Sequence, residues 1–352
     1  MPYCPNSDLF GTDPRFLTEV REKFRKSFNN SSSLQSDFNN ANILIIGGQG
    51  FVGRWLIETL LYLKLETQTD LKISVVGRRS FASEVYKNFV NAHQGSAEIL
   101  ALNLKSYSHI FFLIQTHDMP PGKLLDEQTN LEIRLINKIV DEVKNTARII
   151  FTSSGAIYKY SNYERDYYSE SDVNLDLENK TALDAYSQTK FLVERYLHLH
   201  RSEVNYVAAR LFTFYGPKLP TDLNFAIGNF VGDVVNKKNI EMKSSGKSIR
   251  SFMHGIDLGI VLVKLMMSTH QGPINVGSKN KKSILEVANI IANFTNSRIN
   301  VNFLEDSHET YLPNLDLLKS TIEFPDEIDF KSGVFNWISI LKETSDNQNE
   351  KA

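Results

Sequence analysis

"ILIIGGQGFVGRWLIETLL", residues 43–61, opens as an apolar strand and closes as a helix, with Gly47, Gly50 and Gly53 at every third place across the junction. A short apolar run that ends in glycine suits a strand buried on both faces. The first two glycines permit a tight turn and a close backbone approach, and the third lets the helix lie against the strand. At the start of the helix, the N–H groups of Phe51, Val52 and Gly53 have no intrahelical acceptor, and the helix dipole adds positive partial charge. A pyrophosphate matches that arrangement, so Gly47, Gly50, Phe51, Val52 and Gly53 are expected to bind a dinucleotide. A glycine turn alone is a weak signal; the flanking strand, helix and second strand, "LKISVVG", make it specific.

Working outward from this unit, the chain alternates short apolar strands with helices. "SFASEVYKNFVNA" reads as a helix, "HIFFLI" as a strand, "LDEQTNLEIRLINKIVDEV" as a helix and "ARIIFTSS" as a strand. The pattern predicts an α/β fold, a Rossmann-like doubly wound parallel sheet, with a smaller C-terminal α/β lobe over its carboxyl edge. The expected boundaries are 41–215 for the dinucleotide-binding part, with a return segment near 252–277, and 216–251 with 278–345 for the lobe. Residues 1–40 read as a helical arm and polar linker, with Phe16, Leu17, Val20 and Phe24 at helical spacing. That arm is expected on the outside of the fold or on a second subunit. Residues 346–352 read as a frayed polar tail.

Composition narrows the partner. The net charge is −2 with no long basic block, which argues against nucleic acid or an anionic membrane surface. No stretch reaches the roughly 18 apolar residues of a membrane span. The single cysteine, Cys4, cannot form an intrachain disulfide, and no Cys/His cluster suggests a metal. A cytoplasmic protein with a small-molecule partner and no metal is the expectation.

At the end of the second strand an NAD site would place an acidic residue against the ribose hydroxyls. Here Arg78 and Arg79 follow, while Asp70 precedes the strand and falls at the wrong edge of the sheet. A guanidinium pair suits a 2′-phosphate, so NADP is expected ahead of NAD.

In "ALDAYSQTKFLVERYLHLH", Tyr186 and Lys190 stand four residues apart and share a helix face, with Phe191, Leu192, Tyr196 and Leu199 as expected inward positions. A neighbouring ammonium stabilises a phenolate and so lowers a phenol's pKa from about 10 towards neutrality. The same ammonium can hydrogen-bond the ribose of a nicotinamide nucleotide. "RIIFTSSGAIY" brings Ser153 and Ser154 to the same sheet edge, and Ser154 is the expected partner of a substrate oxygen. By itself a strand-end serine more often caps the following turn.

With "GGQGFVG", "TSSGAIY", "YSQTK", "ARLFTFYGP", "GKSIRSFMHGIDL", "GPINVGS" and "SILEVANII" in this order, residues 42–342 resemble the extended short-chain dehydrogenase/reductase family, in particular its nucleotide-sugar epimerase/dehydratase group. The resemblance implies NAD or NADP on the sheet, a nucleoside-diphosphate sugar in the lobe, and catalysis by Ser154, Tyr186 and Lys190. It places Arg250 on the substrate phosphates and Thr213 where the family has a substrate-contacting Asn. His117, in a loop that could cover the substrate, is a further candidate contact. A homodimer formed through two helices is implied as well.

Family members that dehydrate the sugar carry Thr-Asp-Glu where this chain has Ser154, Gly155 and Ala156. The missing carboxylates point away from dehydration and towards hydride transfer at a sugar carbon. C4 epimerisation is the first expectation and NADPH-dependent reduction of a 4-keto sugar the second. A non-catalytic NADP-binding sensor is the reading from another class.

Overall fold

The computed structural model describes residues 5–28, 38–77, 86, 88–95, 101–114, 123–160, 166–176, 184–223, 225–302 and 309–349. Seven strands form one parallel sheet: β1 (Ala41–Ile46), β2 (Leu71–Gly77), β3 (Val90–Gln94), β4 (His109–Phe112), β5 (Arg148–Ser154), β6 (Asn205–Leu211) and β7 (Gly272–Val276). Their order is β7-β6-β5-β4-β1-β2-β3. The strand order therefore reverses between β1 and β4, which pair from Ile43↔His109 to Ile46↔Phe112. Ligands of open α/β sheets bind at such a switch point.

Both faces of the sheet are covered at its centre, which explains why β1 and β4 are apolar at successive positions rather than at alternate ones. Ile43 and Ile45 of β1 point into one core, with Ile73, Val75 and Phe111. Leu44 and Ile46 point into the other, with Ile110, Phe112 and Phe151. The first core lies under α1 (Pro14–Phe28), α2 (Phe51–Glu66) and the helix Gly255–Met267. The second lies under α3 (Lys123–Val143) and α4 (Ala185–Leu199). The pieces after β6 are shorter: Ile249–Ser251 pairs antiparallel with Lys281–Ser283 and parallel with Thr310–Tyr311.

Several sequence expectations change. The end of the helix expected in "SFASEVYKNFVNA" is strand β3, because Val90–Gln94 pairs in parallel with β2. The N-terminal arm is part of the core rather than an outer appendage. Its Phe16, Val20, Phe24 and Phe28 are buried, and Lys23 forms a buried ion pair with Asp257. The polar linker ends in a buried Phe38, whose ring lies 5.0 Å from that of His109. The last helix, Phe330–Asn349, continues through residues expected to fray. On α4 the buried stripe is Lys190, Phe191, Val193, Glu194 and Leu197, whereas Leu192 and Leu199 are exposed. The apolar residues alone misplace that face, because two charged side chains lie on the buried side.

Candidate functional site

The glycine turn stands at the switch point. Gly47 has φ +87°, and a Cβ there would lie 3.1 Å from the Leu113 carbonyl at the end of β4. A Cβ on Gly53 would sit 2.4 Å from the Gly48 Cα, so the turn and helix touch only because both residues lack side chains. At Gly50 a Cβ would meet nothing closer than the Gly47 carbonyl oxygen at 3.6 Å. The first intrahelical bond is Arg54 N–H to the Gly50 carbonyl, which leaves the Phe51, Val52 and Gly53 N–H groups without intrahelical acceptors. No side chain caps the helix, and its first turn has no acidic residue. A strained, bare helix start with uncompensated positive dipole fits the pyrophosphate of a dinucleotide.

β2 ends at Gly77, where an added Cβ would lie 3.0 Å from the Gln49 side chain. Asp70 is at the opposite end of that strand, its carbonyl accepting from Asn40 N–H. Arg78, Arg79 and His117 lie outside the described residues.

β5 extends past β4, whose last paired residue, Phe112, stands opposite Phe151. Thr152, Ser153 and Ser154 therefore project beyond their neighbour. The Ser154 hydroxyl accepts from Ala156 N–H at 3.1 Å, the turn-capping role of an ordinary strand-end serine. The Tyr311 side chain lies close enough to bear on it electrostatically. Ser153 has a buried hydroxyl with no hydrogen-bond partner.

α4 starts at a firm cap. Asp184 accepts from the Ser187 N–H and hydroxyl, each at 3.0 Å, which fixes the turn that carries Tyr186. One turn on, Lys190 is 1% exposed and its Nζ lies 5.9 Å from the Tyr186 ring centre. That ammonium donates to the Ile114 carbonyl at 2.7 Å and lies 3.5 Å from the Glu132 carboxylate of α3. Burial pushes the Glu132 carboxyl up from its ordinary range, and the Lys190 charge opposes the rise.

Arg250 is paired in the strand register with Tyr311 and stands 5.4 Å over its ring. Through Tyr311 it reaches the Ser154 side of the site. Its guanidinium is already engaged, donating to the Glu309 carboxylate at 2.6 Å and the Glu309 carbonyl at 2.7 Å. That carboxylate is half exposed. Thr213 is half-buried in the connection after β6, where its carbonyl accepts from Met253 N–H.

Two participants escaped the sequence reading. Tyr311 occupies the space beside Gly155, where a Cβ would come within 2.4 Å of its hydroxyl. Burial, with Tyr186 adding to it, holds the Tyr311 phenol well above its ordinary value, so it stays neutral. Nothing local marks it. Glu132 did leave a signal, since it falls at helical spacing with the buried Leu135, Ile136 and Ile139. A charged residue on an apolar stripe calls for a partner. Separately, a cavity of about 380 Å³ is lined by residues including Lys279, Lys281 and Lys319, and includes none of the residues above. Among the described residues no group of His, Cys, Asp or Glu is placed to hold a metal, and no helix is long and apolar enough to cross a membrane.

Comparison with known proteins adds the following. The family model described as "NAD dependent epimerase/dehydratase family" matches residues 43–277. UDP-glucuronic acid decarboxylase 2 of Arabidopsis thaliana is 22% identical over 303 residues, covering 83% of this chain and 66% of that protein. The chain thus spans just under two thirds of that relative. The structure of UDP-glucuronic acid 4-epimerase from Bacillus cereus, in complex with UDP-glucuronic acid and NAD, superposes with a TM-score of 0.69 at 18% identity, covering 86% of this chain and 99% of that one. UDP-N-acetylglucosamine 4-epimerase from Methanobrevibacter ruminantium M1, in complex with UDP-N-acetylmuramic acid, gives 0.69 at 21% identity, covering 87% and 99%. At these identities the structural likeness is one of fold.

Proposed function

Because the chain belongs to the NAD-dependent epimerase/dehydratase family, an enzyme group of the extended short-chain dehydrogenase/reductase type, we propose that it inverts C4 of a UDP-sugar by reversible oxidation. The observation that carries this reading is the convergence of Ser154, Tyr186 and Lys190 at one sheet edge, beside a glycine turn shaped for a dinucleotide.

Gly47, Gly50 and Gly53, with the N–H groups of Phe51, Val52 and Gly53, hold the cofactor pyrophosphate. When bound, the nicotinamide supplies the hydride acceptor and donor. Tyr186 takes the proton of the sugar hydroxyl as hydride leaves the carbon and gives it back when hydride returns to the opposite face. Lys190 stabilises the phenolate in that interval. Ser154 bonds the same sugar oxygen, and Tyr311, kept neutral by burial, steadies the serine hydroxyl. Arg250 exchanges Glu309 for the substrate diphosphate. Thr213 and His117 keep their place as candidate substrate contacts.

Epimerisation returns every proton and hydride, so hydroxyls and one ammonium suffice. Elimination of water needs a further acid and base, and Gly155 and Ala156 supply neither. Decarboxylation is the second reading, favoured by the names of the relatives. A 4-keto hexuronate is a β-keto acid and loses carbon dioxide readily, so both outcomes share the first oxidation. Cofactor choice is proposed as NADP before NAD on Arg78 and Arg79, although the Bacillus cereus neighbour contains NAD. A homodimer is proposed through α3 and α4, where Leu192 and Leu199 are exposed.

The test is to incubate the protein with UDP-glucuronate, UDP-glucose, UDP-N-acetylglucosamine and their C4 epimers, with NAD or NADP, and with their 4-keto forms and NADPH, and identify products by NMR. Interconversion of C4 epimers without net cofactor turnover is expected. Release of carbon dioxide with a UDP-pentose would replace it with the second reading. Stoichiometric NADPH oxidation by a 4-keto sugar would make the protein a reductase, and cofactor binding without any product would make it a sensor.

A further inference from the structure

We propose that Glu132 is a positioning residue for this reaction, its carboxylate holding and neutralising the Lys190 ammonium from the neighbouring helix. The inference rests on the reading of Tyr186 and Lys190 as the proton-transfer pair. Both charges are out of water, Glu132 at 0% and Lys190 at 1% exposure. A buried carboxylate is costly unless paired and hydrogen-bonded, yet neither Glu132 oxygen has a hydrogen-bond partner. Its described electrostatic partner is Lys190, at 3.5 Å. A tetrahedral ammonium has three protons. The Ile114 carbonyl takes one, Glu132 draws a second, and these two anchors set the direction of the third.

Each charge of the pair depends on the other. Burial raises the carboxyl, and the ammonium beside it opposes the rise. The titratable group facing the pair on α4 itself is Tyr186, with Tyr311 beyond it. One turn further, Glu194 is bound to Arg210. The adjacent strands present Phe112 and Phe151, and the remaining phenols of this layer are Tyr107, Tyr196 and Tyr206.

Removing a negative charge makes every neighbouring proton easier to lose. Glu132→Gln keeps the shape and an acceptor oxygen but loses the charge. Both limbs of its bell-shaped kcat/KM profile should therefore move to lower pH, by about one unit. Glu132→Asp keeps the charge, so its profile should fall in height and stay in place. A packing role alone would lower the height in both. The second readout is the affinity for NADPH and NADH, titrated by fluorescence across pH without any sugar. The alkaline loss of affinity should move down in E132Q and not in E132D. If the wild type turns over no UDP-sugar, the proposed activity fails while this titration still decides the role of Glu132. Limbs and affinities unmoved in E132Q would overturn the proposal. Should E132Q not fold, infrared difference spectra of Lys190→Met decide: a protonated-carboxyl band absent from the wild type is expected, and its absence would overturn the pairing.

Discussion

Two buried ion pairs meet on α4, one turn apart, and they are built differently. Glu194 and Arg210 are both fully buried and joined by three hydrogen bonds, from Arg210 Nε to both carboxylate oxygens at 3.2 and 3.1 Å and from Nη2 at 2.8 Å. The other guanidinium nitrogen donates to the Tyr158 hydroxyl and the Glu170 carbonyl, both at 3.0 Å. Tyr158 passes the network to Asn275 of β7 at 2.5 Å. Glu132 and Lys190 have one contact, at 3.5 Å, and a carboxylate without hydrogen bonds. The first pair ties α4 to the sheet. The second sets its ammonium beside the Tyr186 ring, where the proposed proton transfer takes place.

The sharpest way to break this contrast is Tyr186→Phe. The ring stays and the hydroxyl goes, so turnover should fall by about 10² to 10⁴ while cofactor affinity and Tm hold. A variant keeping more than half the wild-type rate would remove the phenol, and with it the functional half of the comparison. Glu194→Gln attacks the other pair. It leaves a buried guanidinium uncompensated, and urea unfolding should show a loss of about 3–5 kcal/mol. Turnover of the folded fraction should stay near wild type; a large drop in kcat at unchanged stability would erase the distinction.

His254 sharpens the comparison as a third buried titratable group, remote from both pairs. Burial, aided by the Lys23 charge, pushes its imidazole down to about 3. Between roughly pH 6.5 and 3 the unfolded chain takes up a proton there and the folded chain does not. Stability should therefore fall as pH drops through that window, by at most about 1.4 kcal/mol per unit from this group. His254 Nδ1 accepts from the Ile256 N–H at 3.3 Å, so His254→Asn keeps a side-chain acceptor and should flatten the slope. An unchanged slope in urea midpoints against pH would show that other groups dominate. The smallest effect is expected for Arg250→Ala. Losing charge-assisted bonds to a diphosphate should raise KM about tenfold and leave cofactor affinity alone; an unchanged KM would return Arg250 to its Glu309 partner.

By itself the sequence determined what depends on near neighbours in the chain. The glycine turn of residues 47–53 is legible because close backbone approach demands residues without Cβ within one short stretch. Tyr186 and Lys190 are legible as a pair because helical pitch places them on one face. The sheet is legible because strands buried on both faces must be apolar throughout. Tertiary structure alone decided the contacts between distant segments. Glu132 meets Lys190 across two helices, Tyr311 reaches Ser154 from a strand of two residues, and Lys23 carries the N-terminal arm onto Asp257. It also corrected the expected inward face of α4 at two positions: Leu192 and Leu199 are exposed, while Phe191 is buried as expected and Lys190 and Glu194 are buried with it. Local pattern records hydrophobicity but not the partner that compensates a buried charge, and that partner exists only once the chain has folded.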